Sequence, residues 1–217
     1  MNALRFSLAL LIGIVVGLAI GFLIPSTSSA PAVTVSIAHE YDYSDAYTVD
    51  AAYPVFGIPV ADSAVKSAVD GAVTDFKQNP ANPGNDPQNE FQSIFDYAYV
   101  GSDIVSTELV FSEFTGGAHP NAQMVGINVD RKTGKELTLT DALGLIGMDL
   151  GQVASSSETQ LKAQLGDAYI FPDGVQATSD NYSSFIVGTS TVSFVFQEYQ
   201  VAPYSSGVQM TVFPRVR

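Results

Sequence analysis

The stretch 59–77, PVADSAVKSAVDGAVTDFK, constrains the fold more than any other. Ala61, Ala64, Val65, Ala68, Val69, Ala72, Val73 and Phe76 recur at i, i+3, i+4 and i+7, the period of an amphipathic helix. Asp62, Lys66 and Asp70 fall four apart on the outer face. The inner face is mostly Ala and Val, so the helix can approach a sheet closely.

The flanks supply that sheet. VTVSIAHEYDY alternates with period two and places Val33, Val35 and Ile37 on one face. A second extended stretch follows near 46–56. The breaker-rich segment 79–89, NPANPGNDPQN, is a solvated loop; Asn82, Asn85, Asp86 and Glu90 have a calcium-loop composition without the EF-hand spacing. Phe91, Ser93, Phe95, Tyr97 and Tyr99 then alternate in a strand. Further strands are predicted over 104–114 and 123–130, with a turn at RKTGK and a short returning strand at ELTL. Thr138 and Asp141 have the spacing of a capping box before a short helix, and another helix is predicted over 149–165 with Gly166 as its stop. FIVGTSTVSFVF reads as a hairpin with Val192, Phe194 and Phe196 on one face, and VQMTVF as the last strand. The fold class is α+β, with mainly antiparallel sheet packed by one long and one or two shorter helices.

The first thirty residues are of another kind. Phe6–Ile24 carries no charge, and a helix of that length spans about 28 Å, a bilayer core. Arg5 precedes it and every acidic residue follows. The positive-inside rule places the N-terminus in the cytoplasm and the rest outside. The reading is an uncleaved, single-pass signal anchor. Cleavage after Ser28-Ser29-Ala30 is the alternative, disfavoured by Pro31. The expected organisation is a cytoplasmic tip at 1–5, a transmembrane anchor at 6–24 and a linker at 25–32. Gly13, Gly17 and Gly21 share a helix face that would support homodimerisation in the membrane.

Beyond the anchor, 8 basic residues oppose 22 acidic ones, a balance of −14. Such a surface repels nucleic acid and attracts basic partners. The absence of cysteine excludes disulfides and thiolate chemistry.

The segment TGGAHPN, 115–121, holds His119, one of two histidines. Gly116 and Gly117 suit positive φ and Pro120 stiffens the exit. As a base, His119 would need an orienting carboxylate or a nucleophile. The sequence offers no G-x-S-x-G or H-E-x-x-H, and no acid nearby except Glu113. His39 adds too little for zinc. His119 therefore reads as structural or partner-contacting. No catalytic residue, metal ligand or cofactor is assigned.

TGGAHPN, then VDRKTGKELTLTDAL, then VSFVFQEYQVAPYSSGVQMTVF resemble the C-terminal ectodomain of RsiV-type anti-sigma factors. AAYPVFGIPVADSAVKSAVDGAVTDF resembles the small domain that precedes it there and in some peptidoglycan deacetylases. The resemblance implies a deacetylase-associated-type subdomain at 33–115 and an RsiV-type subdomain at 116–217. It also implies a membrane-tethered domain facing the cell wall, with a basic wall-active protein such as lysozyme, or peptidoglycan, as partner. Gly116, Gly117, His119, Pro120, Asn121, Tyr199, Pro203 and Tyr204 are then the candidate partner-binding residues. Neither a sigma-binding segment nor a deacetylase domain is found, so the signalling output and the enzyme activity do not carry over. A binding module at the envelope is the expected function; an envelope hydrolase using His119 and a structural envelope protein are the alternatives.

Overall fold

The computed structural model describes residues 34–78 and 88–216. The anchor with its glycine face, and the loop 79–87, lie outside the described residues. Among those described, no helix is long and apolar enough to cross a membrane.

Val33–Arg217 form one compact unit built on two sheets. The larger has the order β1 (Ser36–Tyr43), β2 (Tyr47–Val55), β3 (Asn89–Val100), β4 (Ile104–Phe114), β5 (Asn121–Asp130). The helix α1 (Pro59–Gln78) connects β2 to β3 as a crossover, so those two strands run parallel while the other neighbours are antiparallel. Because β5 pairs with β4, the sheet is continuous across residues 115 and 116.

Pro59 opens α1, where its missing N–H costs nothing. The Asp62 carboxylate accepts the Phe56 N–H at 2.7 Å, fixing the entry. Ala61, Val65, Val69 and Phe76 are buried, and Ala64, Ala68, Ala72 and Val73 pack beside them. Across from them lie Val49, Ala51, Phe91, Leu109 and Ile127. Each fully buried Val or Phe contributes about 1.5–3 kcal/mol, so this face holds the helix to the sheet. The outer-face pairs Lys66–Asp70 at 2.7 Å and Lys77–Asp42 at 2.6 Å are solvent-exposed and add little.

The smaller sheet has the order β6 (Phe185–Val187), β7 (Thr191–Phe196), β8 (Gln209–Pro214), all antiparallel. The helices α2 (Leu139–Ile146) and α3 (Leu150–Leu165) supply its core, where Val192, Phe194 and Phe196 meet Val153, Leu161 and Tyr182. Burial pushes the Tyr182 phenol up to about 12; its hydroxyl donates to the Val175 carbonyl at 2.8 Å. Both helices start on capping boxes, Thr138 with Asp141 and Asp149 with Gln152.

The α+β class with mainly antiparallel pairing is thus the observed one, with three local departures. ELTL forms only an isolated bridge, Glu136 with Val129, because the Thr138 cap draws Leu139 into α2. Ile37 is exposed because it stands on the face of β1 opposite α1. A bulge between Phe95 and Tyr97 shifts the register of β3, so Phe95 opposes Leu109 while Tyr97 opposes Glu108. Phe95 therefore packs on the α1 side, and the Tyr97 hydroxyl reaches the Val187 carbonyl on the other side at 3.3 Å.

Side-chain amides and hydroxyls finish three of the sheet edges. Gln197 exchanges two hydrogen bonds with the Met124 backbone of β5, at 2.9 and 2.7 Å. Ser106 and Asn128 hold the edge of β6. Gln160 bonds the Val212 N–H and carbonyl of β8, and Gln164 bonds the Met210 carbonyl.

Candidate functional site

The loop between β4 and β5 bends at Gly116 and Gly117, with φ of 92° and 121°, values side chains other than glycine rarely adopt. It carries an exposed His119. Its Nδ1 lies 2.8 Å from the Pro120 carbonyl; a carbonyl only accepts, so Nδ1 carries the proton in this contact. No carboxylate or nucleophile bonds the imidazole among the described residues. Glu113, the acid nearest in sequence, stands on the α1 side of the sheet, where burial and then Asp75 push its carboxyl up.

The imidazole instead lies flat on Tyr204, with ring centroids 4.0 Å apart and planes 21° apart. Tyr199 follows at 5.7 Å from Tyr204 with a 31° tilt. Three rings, from segments some eighty residues apart in sequence, thus form one row. Asn121 opens β5 opposite Glu113, outside the ring row. Gly116, Gly117 and Pro120 shape the loop, and Pro203 leads into the short 3-10 turn Tyr204–Ser206.

VAPY is divided between core and surface. Val201 and Ala202 are buried, while Pro203 and Tyr204 are half-buried. Two residues absent from the sequence-based set join the surface here. The Ile170 and Phe171 amides both donate to the Val201 carbonyl at 3.2 Å, and their side chains are 49% and 40% exposed. Apolar residues in a polar loop, unaligned with any helix or strand period, were the available signal.

Tyr199 is the one non-glycine residue with positive φ among those described, at 63°. It occupies the third position of a turn closed by Gln200 N–H to the Gln197 carbonyl at 3.0 Å, a place that favours glycine. The conformation costs about 1–3 kcal/mol. Two glutamines hold it. Gln200 accepts the Gln197 N–H and donates to the Gly174 and Asn181 carbonyls, and Gln197 is tied to β5. The result keeps a tyrosine ring 57% exposed. Exposed rings in a row offer π faces to cationic side chains.

A cavity of about 700 Å³ lies elsewhere, lined by Asp103, Asp130, Lys135, Glu136, Thr138 and Asp141. Most of its carboxylates are engaged in structure: Asp103 with Arg215, Asp130 with the Lys132 and Thr133 amides, Asp141 in the α2 cap. No group of three or more His, Asp or Glu arranged to hold a metal occurs among the described residues. The ring row is therefore the stronger candidate, although it is no deep pocket.

The C-terminal part of the chain matches a known family model, described as "Protein of unknown function (DUF3298)". The match covers residues 148–215. Two solved structures of DUF3298 family proteins share the fold. One, from Pseudomonas aeruginosa PAO1, has a TM-score of 0.56 at 19% identity, over 84% of this chain and 90% of that one. The other, from Bacteroides fragilis NCTC 9343, has a TM-score of 0.52 at 14% identity over the same shares. No curated protein matches the chain. Ile170, Phe171, Tyr199 and Tyr204 lie within the matched segment, and His119 is contributed from before it.

Proposed function

We propose that this chain is a membrane-anchored, extracytoplasmic binding module whose partner-contacting surface is the row His119, Tyr204 and Tyr199. The observation that carries the reading is Tyr199: a strained backbone held by two glutamines presents an exposed ring beside a stacked His–Tyr pair. Strain of this kind collects at binding sites. Exposed Tyr is also the residue type that dominates partner recognition.

The uncharged run 6–24 supports the anchor, and the balance of −14 supports a basic partner. The RsiV-type resemblance supports a wall-active protein such as lysozyme over a purely structural role. Cationic side chains over the tyrosine faces would supply the specific part of the affinity.

The test is a titration of the compact unit Val33–Arg217 with lysozyme at about 0.1 M and 1 M salt, where the Debye length falls from roughly 10 Å to 3 Å. A cationic protein of similar size is the control. The expected result is binding to lysozyme that persists in part at high salt and drops at least about tenfold in Tyr199→Ala and Tyr204→Ala. Equal binding to both proteins, or none to lysozyme, rejects this partner. Protease added to spheroplasts tests the topology: the domain is expected to be digested, and its protection rejects the outside location.

A further inference from the structure

Strand β1 is the outer strand of the larger sheet, and no strand pairs with its far side among the described residues. An open edge is a row of unpaired amides and carbonyls, which native proteins normally cover or charge. The edges of β5, β6 and β8 are covered here by Gln197, Ser106, Asn128, Gln160 and Gln164. On the face of β1 away from α1, Ile37, Tyr41 and Tyr43 are 67%, 66% and 60% exposed. Ile94 of β3 extends this apolar face inward from the edge.

Charge does not blunt the edge either. Glu40 accepts from the Tyr53 hydroxyl and pairs with Lys66 at 3.0 Å. Asp42 pairs with Lys77, and His39 with Asp50. Both carboxylates of the strand are thus engaged by lysines of α1.

We infer that the β1 edge is the seat of a second copy of this chain, joined by antiparallel β1–β1 pairing about a twofold axis at His39. The strand is self-complementary in that register. Ile37 of each copy opposes Tyr41 of the other, giving two aromatic–aliphatic cross-strand pairs. Glu40 opposes Ala38 and Asp42 opposes Ser36, so no carboxylate faces another. Moving the axis to Glu40 sets Glu40 against Glu40; moving it to Tyr41 sets Glu40 against Asp42. Both are like-charge pairs, which destabilise a ladder. The twofold keeps Ile37, His39, Tyr41 and Tyr43 on one face in both copies, as an isologous contact requires. One added ladder is a small interface, below about 1,200 Å², so the dimer is weak. This inference is independent of the ligand at the ring row.

The chain has no cysteine, which allows a direct test on the full-length protein with oxidised glutathione as the oxidant. Directly opposed residues on antiparallel strands have Cα atoms about 4.5–5.5 Å apart, within disulfide reach. His39→Cys is expected to cross-link with itself at least about tenfold faster than Ser155→Cys on the exposed face of α3. Ile37→Cys mixed with Tyr41→Cys is expected to give a heterodimer, while Ile37→Cys alone gives no more than the control. Hydrogen exchange on the unsubstituted chain guards against misfolded variants: every second β1 amide should slow as concentration rises. Cross-linking at the control level, or concentration-independent exchange across β1, overturns the inference. A chain that stays monomeric but gains β1 protection on adding an extended peptide also overturns it, in favour of a strand from another protein.

Discussion

Asn128 faces Val187 as a neighbouring strand's backbone would. Its Oδ1 accepts the Val187 N–H at 3.0 Å, and its Nδ2 donates to the Phe185 carbonyl at 2.7 Å. The Ser106 hydroxyl donates to the same Oδ1 at 2.7 Å. The two sheets are thus joined by polar groups that are fully buried, where an unmade hydrogen bond costs more than a made one contributes. Asn128→Leu removes the amide and leaves the Phe185 carbonyl without that donor. The expected loss is about 3 kcal/mol, or roughly 6–12 °C in Tm for a domain of this size, measured by calorimetry. A loss under about 1 °C would mean that the Asn128 bridge does not couple the sheets.

The same joint forbids a side chain at Gly126. A Cβ there would lie 1.8 Å from the Phe185 carbonyl oxygen, a backbone atom. Gly126→Ala is expected to destabilise by about 3 kcal/mol or more, since the strand itself must move. Gly144→Ala, in helix α2 with nothing within 4 Å of its added Cβ, is the control and should stabilise by about 0.5–1 kcal/mol. Denaturant midpoints of the two variants, moving in opposite directions, are the check.

The helix α1, the Thr138–Asp141 cap and the inward face of β7 were legible in the sequence because each rests on local periodicity or spacing. The bulge at Asp96 was not. An extra residue leaves the apolar alternation of Phe91–Tyr99 intact while turning Tyr97 to the opposite face, so the pattern looks regular and the packing is not. Gln160, Gln197 and Asn128 were not legible either. Nothing local distinguishes a surface amide from one that completes a distant strand, since its partner is decided only by the fold. The ring row was legible as residue types and loop chemistry. That His119 meets Tyr204 depends on how β4–β5 and the turn after β7 are brought together.

Glu108 makes the stability of the sheet joint depend on pH. It is 3% exposed, on the face of β4 beneath the smaller sheet, and its Oε1 has no hydrogen-bond partner among the described residues. Burial first, and Asp96 second, raise its carboxyl above the ordinary value of 4.5. Below the unfolded value the group is neutral in both states and costs nothing ionic. As pH rises through the higher folded value, the unfolded state releases the proton more readily, and stability is lost. Glu108→Gln should therefore melt above the unsubstituted protein at pH 8, with the gap shrinking towards pH 4. Taking the difference at each pH cancels opposing groups such as Asp103, whose carboxyl Arg215 holds below its ordinary range. A gap that is constant with pH would show that Glu108 releases its proton at the same pH in the folded and unfolded chain, so that burial does not raise its carboxyl.

Tyr199 separates stability from binding. Its φ of 63° is a conformation that glycine adopts freely and tyrosine does not. Its ring is largely exposed and stands 5.7 Å from that of Tyr204, so truncation opens no cavity. Tyr199→Gly relieves the backbone strain, while the extra freedom glycine has in the unfolded chain offsets part of the gain. The expected net change is between zero and about +1 kcal/mol. If the strain serves to present the ring to a partner, the same variant loses affinity. Tyr204→Phe keeps both the ring and the stack, and should bind as the unsubstituted protein does. Paired measurements of Tm and lysozyme affinity on the two variants decide the matter. A clear fall in Tm for Tyr199→Gly would mean that the ring is held for packing, and the strain would then have no role in recognition.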